Sequence, residues 1–274
     1  MDHSHMDMNT DDLLDDFQAL TLTFLDKGRT VYKKGKGPAV VVLHEMPGIS
    51  PQVARFARRI SSAGFTVFMP SLFGRDGAVP LVDEGAAVFQ RVCISREFSI
   101  MARQGTSPIV NWLKELARFS TEDTGQAKVG AVGMCLTGNF ALSMMLEPAV
   151  TAPVLCQPSL PLDDPAEIEM SAADAVAVAR RLKEDDLTAR AYRFEGDHFC
   201  QPARFAKYQR IFGSRFEARS IPDSAANPDT APFFRAHIRT PHSIVTQNLI
   251  DKDGEPTRAV LDEIIEFLHL RLDP

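Results

Sequence analysis

One short stretch in the middle of the chain restricts the possible architectures more than any other. Residues 128–145 read KVGAVGMCLTGNFALSMM. Val129 begins an apolar run that is typical of a strand buried on both faces, and a helical pattern follows it. Between the two, Gly133 and Gly138 enclose Cys135, so a thiol is predicted at the tip of a strand–turn–helix connection. Such a turn needs small residues because it is strained and presses against neighbouring backbone.

The turn around Cys135 is similar to the nucleophile elbow of α/β-hydrolases, with its second glycine shifted by one residue and cysteine in place of serine. Backbone N–H groups and a helix N-terminus at such a turn favour a thiolate and a neighbouring oxyanion. Free cysteines also serve as small hydrophobic core residues. The stretch alone therefore leaves two interpretations of Cys135 open, a nucleophile and a core residue.

Composition and charge exclude several classes of protein. A chain of 274 residues that is 45% hydrophobic can bury a substantial core in one domain. The formal charge of −6 argues against a nucleic-acid partner, which needs clustered Lys and Arg. No run of roughly 18 apolar residues and no signal-peptide pattern occurs, so we expect a cytoplasmic protein without a membrane partner. The four cysteines show no CxxC pair, which predicts reduced thiols and no metal site.

The order of the predicted elements is that of an α/β fold. Residues 20–32 alternate and turn as a hairpin, and Ala39–Leu43 is a β-branched run typical of a central parallel strand. Pro51 begins a helix that Ser50 can cap, and another strand follows it. We predict a single domain, residues 1–274, with a mostly parallel, doubly wound sheet of about eight strands and helices on both faces.

Three segments fall outside this regular alternation. Residues 1–19 are acidic and predict a solvated N-terminal tail, with a metal-binding tail as the alternative. Residues 71–126 are longer than one crossover needs and predict a helical excursion, with helices at 84–103 and from Pro108. Residues 222–241 are polar and contain prolines, which predicts a functional loop or lid, with disorder as the alternative.

Candidate catalytic side chains follow the predicted strands. Cys135, Asp197 and His242 occur in the chain order nucleophile, acid, base, each in a turn or loop after a strand. Glu45 lies at the carboxyl end of the central strand, where open α/β sheets place their ligands. From the residues alone, the favoured interpretation of Glu45 is an exposed loop carboxylate. His198 is a rival base, but its neighbour Asp197 cannot easily turn back to orient it.

Four motifs together resemble the dienelactone hydrolase family over the span from about Thr23 to Leu272. LHEMPGI is similar to the family's glutamate-bearing turn, GMCLTG to its elbow, GDHFCQP to its aspartate-bearing turn and PHS to its histidine-bearing turn. The resemblance implies an α/β-hydrolase fold and hydrolysis of a small, dienelactone-like ester or lactone. It implies that neither a metal nor an organic cofactor is required.

The resemblance also implies a role for each matching residue. Cys135 is the expected nucleophile, His242 the base that takes its proton, and Asp197 the carboxylate that fixes the imidazole tautomer. Glu45 matches the family glutamate that contacts the resting thiol and takes part in its activation.

Two backbone N–H groups complete the site that the resemblance implies. Those of Leu136 and Met46 form the expected oxyanion hole. Attack of the thiolate on the substrate carbonyl then gives an acyl-thioenzyme, which water hydrolyses.

Two positions depart from the family pattern. Thr137 precedes Gly138 where the family usually has a glycine, so a slightly altered turn is expected. Thr246 stands where members that act on dienelactone carry an arginine, and losing that contact removes about 1.5 to 3 kcal/mol of binding. Arg96, Arg239 and Arg235 are candidates for a substitute cation, although ordinary surface charge is the favoured interpretation of each.

Three functions are consistent with these patterns. The first is a cysteine hydrolase of small esters or lactones. The second is a general carboxylesterase or thioesterase on the same triad, and the third is a catalytically silent α/β-hydrolase scaffold that binds a small ligand. The expected partner is a small-molecule ester or lactone, and the expected assembly is a monomer or homodimer.

Overall fold

The computed structural model describes residues 10–94 and 106–273, with the backbone only for residues 93 and 94. The strands in these ranges are β1 (Gln18–Phe24), β2 (Lys27–Gly35), β3 (Ala39–Leu43), β4 (Thr66–Pro70), β5 (Val129–Met134), β6 (Val150–Cys156), β7 (Ala189–Phe194) and β8 (Phe216–Ile221). The helices are α1 (Pro51–Ser62), α2 (Val82–Ile94), α3 (Pro108–Thr124), α4 (Gly138–Ser143), α5 (Ala172–Glu184), α6 (Pro202–Phe212), α7 (Pro232–His237) and α8 (Pro256–Leu272).

The eight strands form one sheet in the order β1-β2-β4-β3-β5-β6-β7-β8. β1 and β2 are an antiparallel hairpin, and β2 also pairs antiparallel with β4. Leu25 and Asp26 make the hairpin turn, both with left-handed φ angles. All pairs from β4 to β8 are parallel. The prediction of a mostly parallel sheet of about eight strands is confirmed.

Helices cover both faces of this sheet because its central strands are apolar on both sides. Every residue of β3 is buried. Val41 and Leu43 pack in the core that includes residues of α3 and α6, whereas Val40 and Val42 pack in the core that includes residues of α1 and α8. The unbroken apolar run in the sequence therefore reflects burial from two directions.

The first and last helices begin where the sequence predicts. Ser50 caps α1, since its Oγ accepts a hydrogen bond from the N–H of Val53 at 3.3 Å. The apolar stripe of α8, which includes Val260 and Ile264, is buried against the sheet as predicted. Within the described ranges, no helix combines the length and the hydropathy that crossing a bilayer requires.

The N-terminal segment is packed rather than solvated from residue 12 onward, so the tail predicted over residues 1–19 is wrong there. Leu14 and Phe17 are buried. The buried Arg58 of α1 donates to both Asp12 and Asp16 at distances of 2.6 to 2.9 Å. The acidic residues that indicated a solvated tail are the partners of this arginine.

The two irregular segments contain helices. α2 begins at Val82, and the end of the helix predicted over 84–103 lies outside the described residues. Residues 222–241 contain α7, whose Phe233 packs so closely on Gly85 of α2 that a Cβ there would lie 2.3 Å from its ring. This segment is therefore structured, and its action as a lid stays a prediction.

Arg204 of α6 is fully buried and connects the chain after β6 with the acid turn, residues 195–200. Its guanidinium donates to five backbone carbonyl oxygens, those of Pro158, Pro161, Asp164, Glu167 and Phe199. Buried carbonyls need such donors because water cannot reach them.

Replacing Arg204 with methionine is expected to lower the free energy of unfolding by about 3 to 5 kcal/mol, because the buried carbonyls lose a charged donor. Urea denaturation followed by circular dichroism measures the change. Arg210→Met, on the exposed side of the same helix, is the control and is expected to change stability by less than about 0.5 kcal/mol. Equal losses in the two variants would show that the carbonyl contacts contribute little.

Candidate active site

Cys135 lies in a strained turn between β5 and α4. Its φ angle is +55°, in the left-handed region that residues other than glycine rarely adopt. A Cβ on Gly133 would lie 2.3 Å from the carbonyl oxygen of Thr137, and one on Gly138 would lie 2.7 Å from Cα of Pro158. Both glycines are therefore required by close backbone contact, as the sequence pattern indicates.

Thr137, which departs from the family pattern, ties this turn to the neighbouring strand. Its hydroxyl accepts a hydrogen bond from the N–H of Met134 at 3.0 Å. The same hydroxyl lies 3.0 Å from the carbonyl oxygen of Leu43, to which it can donate. A threonine here thus links the elbow to the end of β3 through its side chain, which glycine would not do.

The acid turn and the histidine loop, residues 240–248, meet beside the elbow. His242 Nδ1 donates to Asp197 Oδ2 at 2.8 Å, and both side chains are buried. Asp197 Oδ1 accepts from the N–H groups of Phe199 and Cys200 at 2.9 and 3.1 Å. Because a carboxylate oxygen only accepts, the proton of the neutral ring is on Nδ1 and Nε2 carries the lone pair.

Nε2 of His242 faces Cys135. Among the described residues it is buried and has no hydrogen-bond partner of good geometry. Burial lowers the pKa of His242, but the charge of Asp197 and the hydrogen bond to it, together with the nearby Cys135 sulfur, raise that pKa well above its usual value. An imidazole with a raised pKa can hold the proton that a thiol gives up.

Glu45 follows β3 and is buried at the same edge of the sheet. The partners of its carboxylate are Ser243 Oγ at 2.6 Å, Thr246 Oγ1 and Gln157 Nε2 at 3.4 Å. No hydrogen bond to the Cys135 thiol occurs among the described residues. The contact between Glu45 and the resting thiol that the family resemblance implies is therefore absent from the described part of the chain, and these three side chains hold the carboxylate instead.

The expected oxyanion-hole residues lie on adjacent strand ends. β3 and β5 are parallel neighbours, with Leu43 opposite Gly133. Met46 and Leu136 each come three residues later, and both are buried. The donation of their N–H groups to an oxyanion stays a prediction.

Two of the three candidate substitute cations lie within the described residues. Arg96 lies outside the described residues. Arg239 is exposed, and Arg235 pairs with Asp229 at 3.2 Å. The action of Arg239 or Arg235 as a substrate contact stays a prediction.

Two further histidines lie near these loops. His44 is buried, and burial lowers its pKa to about 4. Its Nδ1 donates to the Glu45 carbonyl oxygen, and its Nε2 accepts from the N–H of Leu72, both at 3.0 Å, so it is a structural residue. His198 is exposed, and the carboxylate of Asp197 is engaged with His242 instead.

Exposure distinguishes Cys135 from the other described thiols. Cys135 is partly exposed, whereas Cys156 and Cys200 are fully buried, and burial raises the pKa of both. Within residues 10–94 and 106–273, no group of three or more His, Cys, Asp or Glu side chains is arranged to hold a metal ion. Of these three thiols, that of Cys135 is the one that a substrate could reach, and its role as the nucleophile stays a prediction.

Gln157 and Ser243 are parts of this site that the sequence reasoning did not identify. Gln157 follows directly on β6, at the sheet edge where the catalytic candidates were expected. Ser243 is the residue after His242 in the PHS motif. Their positions were visible in the sequence, but their shared contact with Glu45 was not.

Relatives found by sequence cover part of the chain. A "Putative carboxymethylenebutenolidase" of Saccharomyces cerevisiae is 25% identical over 123 residues, which is 44% of this chain and 43% of that protein. A "Putative hydrolase fragment YghX" of Escherichia coli is 37% identical over 57 residues, 21% of this chain and 49% of that protein. The chain thus spans about half the length of these curated relatives.

Solved structures match nearly the whole chain and show its fold. A dienelactone hydrolase from Anabaena variabilis has a TM-score of 0.58 at 14% identity and covers 94% of this chain and 99% of its own. A dienelactone hydrolase-like promiscuous phosphotriesterase from metagenomic libraries has a TM-score of 0.58 at 16% identity. The match covers 93% of this chain and 98% of that protein. The sequence profile of the dienelactone hydrolase family matches residues 27–186, more than half of the chain. With the sheet, the elbow and this match in agreement, the chain belongs to the dienelactone hydrolase family.

Proposed function

We propose that this protein hydrolyses small esters or lactones through a Cys135 nucleophile and an acyl-thioenzyme. The observation that carries the proposal is the hydrogen bond of 2.8 Å between His242 Nδ1 and Asp197 Oδ2, with Nε2 left for the thiol on its strained turn. Family membership supports the hydrolase class. The names of the yeast relative and of the Anabaena structure point to a lactone as a substrate type.

In the acylation step, Nε2 of His242 takes the proton from Cys135 Sγ. The sulfur attacks the carbonyl carbon, and the carbonyl oxygen becomes an oxyanion next to the N–H groups of Leu136 and Met46. When the tetrahedral intermediate collapses, the bond from carbon to the leaving oxygen breaks. That oxygen takes the proton from His242, and for a lactone it remains attached to the acyl chain.

In the deacylation step, His242 takes a proton from water as the water oxygen attacks the thioester carbon. The second tetrahedral intermediate then expels Cys135 Sγ, which recovers its proton from His242. Asp197 keeps Nδ1 protonated through both steps, so that Nε2 is free to accept and return protons.

The substrate is proposed to be uncharged near its reacting carbonyl. Thr246 occupies the position of the family arginine, and its hydroxyl is bound to Glu45. We therefore expect kcat/KM for p-nitrophenyl acetate or an uncharged lactone to exceed that for a dienelactone carboxylate by about 10- to 100-fold. Initial rates of the purified wild-type protein on this panel, extended to p-nitrophenyl butyrate, measure the preference.

Other outcomes of the panel identify the alternatives. Preference for the dienelactone would contradict the substrate proposal and indicate that a substitute cation, from Arg96, Arg235 or Arg239, holds its carboxylate. A steep rise in kcat/KM from acetate to butyrate would favour a general carboxylesterase or thioesterase. Turnover of none of them, with no preferential alkylation of Cys135, would indicate a ligand-binding scaffold.

A further inference from the structure

The buried Glu45 carboxylate is held by donors from two other segments of the chain. Ser243 Oγ donates to Oε2 at 2.6 Å, Thr246 Oγ1 donates to Oε1, and Gln157 Nε2 donates to Oε2 at 3.4 Å. Burial raises the pKa of Glu45, while these hydrogen bonds act in the opposite direction. Both carboxylate oxygens therefore have partners, and none of the three partners is the thiol.

These donors converge on the histidine loop. Ser243 follows His242 directly, and Thr246 closes the same turn. Gln157, fully buried with a left-handed φ of +37°, joins Glu45 to this loop because its Oε1 accepts from the N–H of Ile244 at 3.3 Å. The amide orientation follows from its partners, since a carboxylate only accepts and an N–H only donates.

A second set of hydrogen bonds holds the backbone of the same loop. Asn248 Oδ1 accepts from the N–H groups of His242 and Ser243, both at 3.0 Å. Asn248 Nδ2 in turn donates to the carbonyl oxygen of Asn227 at 2.9 Å. The Asn248 contacts hold the backbone of the loop, whereas the Glu45 contacts hold its side chains to the end of β3.

We propose that Glu45 is a positioning residue, which with Thr246, Ser243 and Gln157 holds His242 in place against Cys135, and that it is not the group that takes the thiol proton. This inference rests on the proposed function. To reach the thiol, the carboxylate would have to release Ser243 and Thr246 inside a buried site, leaving two hydroxyl groups without partners.

The charge of Glu45 also acts through His242. The imidazolium form of His242 favours the ionised form of Glu45. By reciprocity, the Glu45 carboxylate favours the imidazolium that forms when the thiol proton moves to Nε2. Both the hydrogen bonds and the charge of Glu45 therefore act on His242 and its loop.

A pair of Thr246 variants tests the proposal. Thr246→Val keeps the shape but loses the donor, whereas Thr246→Ser keeps the donor. We expect Thr246→Val to lower kcat for p-nitrophenyl acetate, and the rate of Cys135 alkylation by iodoacetamide, by about tenfold with little change in KM. Thr246→Ser is expected to recover most of both rates. Peptide mass spectrometry quantifies alkylation at Cys135.

The alternative role of Glu45 predicts a different pattern. If Glu45 takes the thiol proton, freeing it from Thr246 leaves the Cys135 alkylation rate unchanged or raises it, while Glu45→Gln lowers it. That pattern would overturn the proposal. Equal kcat values and equal Cys135 alkylation rates for Thr246→Val and Thr246→Ser would also overturn it. The alkylation measurement needs no ester, so it stands even if the proposed substrate class is wrong.

The control is Thr151→Val in β6. Its buried Oγ1 has no hydrogen-bond partner among the described residues, so its removal is expected to leave kcat and the alkylation rate unchanged. Thermal melting checks that each variant is folded. Should Thr246→Val not fold, Ser243→Ala against Ser243→Thr makes the same comparison at the other carboxylate oxygen, with the same expected and contrary results.

Discussion

Replacing Cys135 with alanine is expected to lower kcat for ester hydrolysis by about 10⁴-fold or more, because no other group can form the covalent intermediate. The fold should tolerate the change, since the side chain is partly exposed and alanine is smaller than cysteine. Initial rates on p-nitrophenyl acetate, measured on wild type and variant purified in parallel, give the ratio. Full activity in Cys135→Ala would contradict the nucleophile assignment.

Two comparisons show whether the loss of kcat is specific to the Cys135 thiol. Cys156→Ala also removes a sulfur, but from a fully buried position on β6, and is expected to keep kcat near the wild-type value. In the wild type, iodoacetamide at pH 7 is expected to modify Cys135 before Cys156 and Cys200, whose buried thiols have raised pKa values. Cys135→Ser is a weaker test because a hydroxyl can still work with His242.

Replacing Asp197 with asparagine is expected to lower kcat by about 10³- to 10⁴-fold. The amide nitrogen would face His242 Nδ1, and two donors cannot bond to each other. The ring would then carry its proton on Nε2, where it cannot accept the proton of Cys135. The asparagine oxygen can still accept from the N–H groups of Phe199 and Cys200, so the acid turn is expected to keep its shape.

The pH profile of kcat and the thermal midpoint separate this effect from unfolding. Asp253→Asn, at a side chain that is 95% exposed, is the matched control and is expected to behave as the wild type. An Asp197→Asn variant that keeps the wild-type kcat would show that Asp197 does not orient the catalytic imidazole. His198 would then become the next candidate for the base.

Local sequence patterns predicted much of the sheet because each pattern reflects burial of one segment. The apolar runs of β3 and β5 are buried on both faces, and α8 buries the stripe that its periodicity indicates. The carboxyl ends of the strands were predicted to lie at one edge of the sheet because parallel strands run in the same direction. That rule predicts that Glu45, Cys135 and Asp197 lie near one another.

The N-terminal segment shows where the same reasoning fails. Asp12 and Asp16 suggested a solvated tail, but the buried Arg58 binds both. The partner is 42 to 46 residues away along the chain, beyond the reach of any local pattern. Arg239 is exposed, and its contact with a substrate stays a prediction.

By itself, the sequence determined which residue types occupy the strand ends, and it determined the small residues that the Cys135 turn requires. Only the tertiary structure decided which side chains bind each other. His242 meets Asp197 across 45 residues, and Thr246 meets Glu45 across 201. Periodicity and turn chemistry act within a few residues, whereas these partners are selected by which loops the packed sheet brings into hydrogen-bonding distance.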